Sequence, residues 1–326
     1  MKRAYESAST SNAPCHSNQR IDPNGVSPYK REDENTGYMA QRVADHYSAR
    51  SNQTFKEREA SPIIHLKKLD NWIKSAGIGY YVGIDIAEGS IEYCRKRYNG
   101  DANHHQSRNR FTFPARLLLL RDDGPFNICS CQFAMHYSWS TEARARRALA
   151  NVSALLRPGG TFIGTMPDAN VIIKKLREAE GPTFGNSIYW IRFDEEYDHK
   201  RFRSSTSFGI KYEFHLEDAV DCPEWIVPFP AFKSLAEEYD LELVFVKIFH
   251  EFVDQYLKKP EFAELMRRFG ILGDGNQDTS TLSSDEWEVA YLYTAFVSKK
   301  RGESDPKRQR TNRGPTNISK DDIMYT

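Results

Sequence analysis

This sequence lacks the features that mark metal proteins, membrane proteins and bulk nucleic-acid binders. Its five cysteines, Cys15, Cys94, Cys129, Cys131 and Cys222, show no metal-ligand spacing. Its histidines, His104-His105 and His215 among them, form no ligand pattern either, so no metal is expected. No uninterrupted apolar run has membrane-spanning length, and the first thirty residues lack the apolar core of a signal peptide. A soluble protein of a reducing compartment is therefore expected. Excess charge of one sign is also missing: Lys+Arg 45 balance Asp+Glu 45, so any nucleic-acid binding must be local. Gly77-Ile78-Gly79 with Gly83 precedes a strand instead of following one, which excludes it as a phosphate loop.

What is present reads as one elaborated α/β domain over residues 38–300 between two polar tails, 1–37 and 301–326. Met39, Val43, Ala44 and Tyr47, then Ile64, Leu66, Leu69 and Trp72, have the spacing of entry helices. Tyr80 to Ile84 reads as a strand ending at Asp85, followed by a helix from Ile91 to Tyr98. A second strand runs from Phe126 to about Phe133, and Ser140 is placed to cap the helix of Ala145, Ala148, Leu149, Val152, Leu155 and Leu156. Pro158-Gly159-Gly160 is expected to stop that helix before a strand over Thr161 to Met166. Repeated strand-helix units with short connections predict a parallel, doubly wound sheet. Ile188 to Phe193 and the alternating Phe208, Ile210, Tyr212, Phe214 and Leu216 predict an antiparallel insertion over the substrate, and Trp287 to Val297 a last strand.

Chemistry is expected where Cys131-Gln132-Phe133-Ala134-Met135-His136-Tyr137-Ser138-Trp139 leaves the sheet. In open α/β sheets the carboxyl ends of strands line the site, and rings beside an amide and an imidazole suit a planar hydrogen-bonding ligand such as a nucleobase. An aromatic-lined loop with no ligand is an equal reading. Asp85 has two readings as well, a ribose acceptor or a helix cap. Cys222-Pro223-Glu224-Trp225 reads as a rigid turn presenting a carboxylate to N–H donors, or as a plain surface turn. Cys129 and Cys131 share a strand face and are expected to pack rather than bridge. Arg95-Lys96-Arg97 suits a solvated helix face better than phosphates, and Lys307-Arg308-Gln309-Arg310 reads as a nuclear address, an RNA-phosphate arm or a solubilising tail.

Taken in order, Val43-Ala44-Asp45-His46-Tyr47, Leu69 to Lys74, Gly83-Ile84-Asp85-Ile86-Ala87, Cys129 to Trp139, Phe162 to Thr165, Tyr212 to Leu216 and Cys222-Pro223-Glu224 resemble eukaryotic, plant-like mRNA cap guanine-N7 methyltransferases. The resemblance implies a Rossmann-like class I methyltransferase fold with S-adenosylmethionine as cofactor, held by Lys74, Asp85 and Gln132. It also implies that Phe133, His136, Tyr137, Pro167, Glu224 and Tyr293 surround the cap guanine. Capped mRNA is the implied substrate, the nucleus the implied location, and capping or transcription machinery a further partner.

The chain departs from that family in two places. Only ten residues, Ser75 to Ile84, stand between Lys74 and Asp85. The rest of a helix, the first sheet strand and an Asp-x-Gly-x-Gly-type loop need on the order of 25 residues. After Arg116, Leu117 to Gly124 replaces a strand and the Gly-Asp turn that meets adenine. First strand and glycine-rich loop are thus expected to be missing, as in an alternatively spliced product. Two alternatives to an active enzyme stay open: a catalytically silent cap-binding or partner-binding protein, and a product that does not fold stably.

Overall fold

The computed structural model describes residues 80–83, 110–112, 125–197, 199–202, 207–217, 219–268 and 282–302. Strand β3, Phe126–Gln132, pairs in parallel with β4, Leu156–Pro167, and helix α1, Glu142–Leu155, joins the two. This is the parallel unit that the helical rhythm of Ala145 and Leu149, both fully buried, led us to expect. Two local expectations are corrected. Thr141, not Ser140, caps α1: its hydroxyl accepts the Arg144 N–H, whereas Ser140 still belongs to the short 3-10 helix Met135–Ser140. An N-cap must be the extended residue before the helix, and Thr141 is that residue. Pro158-Gly159-Gly160 also lies inside β4 rather than ahead of it. There the β3–β4 register slips, and Gly159 takes the left-handed φ of 72° that the irregular start requires.

The main sheet continues antiparallel through β10, Tyr293–Lys300, to β9, Leu241–Ile248, in the order β3-β4-β10-β9. Trp287 belongs to a helix, Ser284–Ala290, not to the last strand as its apolar neighbours suggested. Ser283 and Glu286 form a reciprocal capping box that satisfies the first free N–H groups, so the chain winds before it extends at Tyr293. One face of the sheet is closed by Phe162, Phe296, Phe232 and Trp139, all fully buried. Gly164 makes this possible, because a Cβ there would lie 2.5 Å from the Phe296 ring and 2.8 Å from the Cys131 carbonyl.

The expected insertion is a four-stranded antiparallel sheet of β5, Thr183–Gly185, β6, Tyr189–Phe193, β7, Lys211–Leu216, and β8, Val220–Trp225. Alternation puts Tyr189, Ile191, Tyr212 and Phe214 on one face, in a cluster with Ile172 and Leu176 of helix α2, Ala169–Glu178. The Cys222-Pro223-Glu224-Trp225 segment is strand, which corrects the turn reading. Among the described residues β8 pairs only with β7, and an edge strand tolerates a proline that donates no N–H.

Tyr80–Val82 (β1) and Arg110–Thr112 (β2) form a separate parallel pair. Among the described residues no strand joins β1 to β3. β3 is consequently an edge, although it carries neither a charge nor a proline, and its Ile128 is 47% exposed. The N-terminal tail, the C-terminal tail beyond Gly302, the entry helices, the Ile91 to Tyr98 helix, Lys74, Asp85 and Arg95-Lys96-Arg97 fall outside the described residues.

Candidate functional site

Three strand ends meet at the carboxyl edge of β3 and β4. Phe133 follows β3 with a left-handed φ of 54°, a conformation costing roughly 1 kcal/mol or more in a residue with a Cβ. Its N–H is held by the Thr165 carbonyl at 2.9 Å and the Thr165 hydroxyl at 3.2 Å. The bend aims the Phe133 ring edge-on at Tyr293, 4.8 Å away at 87°, and Tyr293 stands opposite Pro167 in the β10–β4 register. Phe133, Pro167 and Tyr293 are thereby brought together. Gln132 remains exposed beside them, its amide tied to Ser130 and to the Thr165 hydroxyl, both at 3.0 Å.

The 3-10 helix after Phe133 turns His136 and Tyr137 toward β8, whose Glu224 is only 4% exposed. Glu224 Oε2 accepts the Tyr212 hydroxyl at 2.7 Å, and Oε1 accepts the Tyr137 hydroxyl at 3.5 Å. His136 Nε2 lies 3.2 Å from Oε1 without the alignment of a hydrogen bond, and among the described residues neither ring nitrogen has a hydrogen-bond partner. The imidazole is 1% exposed and stacks obliquely on Tyr137 at 4.2 Å. A buried carboxylate and a buried, unpartnered imidazole side by side form an incomplete hydrogen-bonding site, costly unless a ligand completes it.

Burial, and then the Glu224 charge, push the Tyr212 hydroxyl well above its ordinary range, so it remains a neutral donor. Cys222, 3.3 Å from the Tyr137 hydroxyl, is pushed up to about 12 by burial and then by Glu224. Burial raises Cys129 to about 11 and Cys131 to about 12, and both thiols are free, in keeping with packing roles.

Of the residues singled out from the sequence, the structure gathers Gln132, Phe133, His136, Tyr137, Pro167, Glu224 and Tyr293 around the end of one sheet and the inner face of the other. Lys74 and Asp85 lie outside the described residues. Sequence reasoning missed Thr165, which holds Phe133, and Tyr212, which holds Glu224. The signal for Tyr212 was available: a tyrosine on the buried face of an alternating strand needs a partner for its hydroxyl.

With this geometry in place, similarity to known proteins becomes informative. The family model described as mRNA (guanine-N(7))-methyltransferase domain matches residues 30–76 and 75–301, two segments meeting where the shortened span begins. The chain is 64% identical to mRNA cap guanine-N(7) methyltransferase 1 of Arabidopsis thaliana over 368 positions, covering 100% of this chain and 99% of the relative. Those 368 positions exceed the 326 residues of this chain, so the relative contains residues without a counterpart here. The rice (Oryza sativa subsp. japonica) protein of the same name is 63% identical over 328 positions, 88% of this chain and 89% of that one. Among solved structures, the CcbJ methyltransferase of Streptomyces caelestis is similar with a TM-score of 0.41 and 12% identity, over 73% of this chain and 81% of that one. The matched models and relatives, spread over the whole α/β domain and its insertion, establish that this chain belongs to the S-adenosylmethionine-dependent mRNA (guanine-N7) methyltransferase family.

Proposed function

We propose that this chain transfers a methyl group to N7 of the terminal guanine of capped mRNA, with Glu224 reading the guanine edge. The observation that supports it is the buried Glu224 carboxylate, braced by Tyr212 and facing a His136 ring that has no hydrogen-bond partner among the described residues. Guanine presents N1–H and an exocyclic amine, two donors that match a carboxylate. Phe133, Tyr137 and Tyr293 supply ring surfaces around the base, Pro167 the wall behind Tyr293, and His136 a further polar contact.

When bound, S-adenosylmethionine supplies an electrophilic methyl on a sulfonium. Gln132, with its exposed and tethered amide, suits a hydrogen-bonding ligand at this edge; Lys74 and Asp85 would hold the rest of it. N7 takes the methyl with a lone pair and carries no proton, so no side chain has to act as a base. The N–C bond forms as the S–C bond breaks, and the positive charge passes from sulfur to the purine. Glu224 and the aromatic faces favour that charge, each desolvated cation–π contact by ~1 to 2 kcal/mol. The rest of the catalysis is placement.

Replacing Glu224 by Ala is expected to weaken cap binding by ~1 to 3 kcal/mol, the cost of leaving buried donors unpaired. Fluorescence titration with a cap dinucleotide measures it, and equal affinities would refute the assignment. We further propose that the chain works in the nucleus beside the capping or transcription machinery, where capped transcripts arise, with Lys307-Arg308-Gln309-Arg310 as its address. Exclusion of a full-length fluorescent fusion from nuclei would overturn that location.

A further inference from the structure

The shorter of the two tyrosine hydrogen bonds to Glu224 comes from a residue that lies too deep to touch a base. Tyr212 has no exposed surface, and its ring packs against Phe193 at 5.5 Å within the insertion's core cluster. In the β7–β8 register Tyr212 stands directly opposite Glu224, with Glu213 and Pro223 the next pair along. Pairing and packing therefore leave the Tyr212 hydroxyl one place to be, 2.7 Å from Oε2. Fixing a glutamate side chain costs it rotamer freedom, so an unanchored Glu224 would sample other positions. Its alternatives are close: the Tyr137 hydroxyl at 3.5 Å and His136 Nε2 at 3.2 Å both lie on the Oε1 side.

Two parallel N–H donors are met by a carboxylate only when its plane coincides with theirs. Each carboxylate oxygen accepts two hydrogen bonds, so Oε2 can serve Tyr212 and a ligand at once. We propose that Tyr212 is a positioning residue: its hydroxyl fixes the plane of the Glu224 carboxylate so that both oxygens engage N1–H and the exocyclic amine of the cap base. It thereby sets the preference for guanine over a purine without that amine. Burial keeps the phenol protonated across the working pH range, so the anchor does not switch off. This inference rests on the guanine-pocket reading of Glu224.

The test compares a guanosine-capped with an inosine-capped dinucleotide, the latter keeping N1–H but lacking the amine. Both are titrated by fluorescence against the full chain and against Tyr212→Phe, with a melting curve beside each. The wild type should bind the guanosine cap more tightly. Tyr212→Phe should lose about fivefold or more on the guanosine cap and change within about twofold on the inosine cap, collapsing the ratio. A purely structural tyrosine would weaken both caps equally, and an unchanged ratio overturns the inference. If Tyr212→Phe does not fold, Tyr212→His takes its place, and the same collapse is expected because the shorter side chain does not reach Oε2. Glu224→Ala separates the two levels of argument. If that variant keeps the wild-type ratio, the pocket reading itself fails; if it loses the ratio while the Tyr212 variant keeps it, only the positioning role fails.

Discussion

The insertion sheet and the main sheet are finished to different degrees. On the inner face of β6 and β7, Tyr189, Ile191, Tyr212 and Phe214 are 2% exposed or less. In the main sheet, Ile128 on β3 is 47% exposed and Val246 on β9 39%. The first sheet carries Glu224 and the second Gln132. Among the described residues the main sheet ends at β3, whereas the insertion is packed across its inner face and is held elsewhere. Its anchors are α2, the 3-10 helix Met135–Ser140 and the Ser284–Ala290 helix. On the proposed assignments, base recognition and cofactor binding thus fall on different sheets.

The largest expected effect tests that separation directly. Two or three missing hydrogen bonds at ~0.5 to 1.5 kcal/mol each predict S-adenosylmethionine affinity at least tenfold below that of the Arabidopsis relative. Methyl transfer should fall further, since the sulfonium would no longer be aimed. Cap-dinucleotide affinity should stay within about threefold of the relative's, because the residues proposed to face the guanine are all present. Calorimetric titration of both ligands against both proteins decides it, and near-equal cofactor affinity would break the comparison.

A smaller effect should appear at the latch that keeps the insertion closed. Glu288 accepts from Lys175 Nζ at 2.5 Å, the Tyr189 hydroxyl at 2.9 Å and the Asn186 amide at 3.2 Å. Partial burial works to raise its pKa, but these donors outweigh it, so the pKa lies below the ordinary 4.5. A depressed folded-state value gives stability that is present above pH 4.5 and is lost as pH falls through the folded pKa. Glu288→Gln is expected to cost about 1 kcal/mol at neutral pH, solvent screening limiting the figure, and to flatten the decline in Tm below pH 4.5. Thermal melts across the acid range measure both, and parallel curves would show that Glu288 is no latch.

The smallest effect on stability belongs to the open edge. Ile128→Lys places a charge on an exposed edge strand, so Tm should move by no more than the equivalent of about 0.5 kcal/mol while the aggregated fraction falls. Light scattering during concentration is the measurement. Unchanged aggregation would mean that β3 is covered in solution.

Much of the site was legible because it is local. The Gln132 to Tyr137 run carries its amide, rings and imidazole in one stretch, and strand alternation from Tyr212 to Leu216 announces a buried face. The shortened span before Asp85 could be counted directly, and the two-segment family match falls at the same place. What escaped was decided by partners far along the chain. Phe133 takes a left-handed φ because Thr165, 32 residues away, holds its N–H. Pro223 sits in a strand that, among the described residues, has a neighbour on one side only, a property of the sheet and not of the segment. Trp287 winds into a helix because Ser283 and Glu286 cap it, although its apolar neighbours suit a strand equally well. The sequence by itself determined the family and most of the strands and helices, and it singled out the side chains proposed to meet a base. Only the tertiary structure decided that Tyr212 would brace Glu224, since that hydrogen bond exists only once β7 and β8 are in register and water has been excluded from between them.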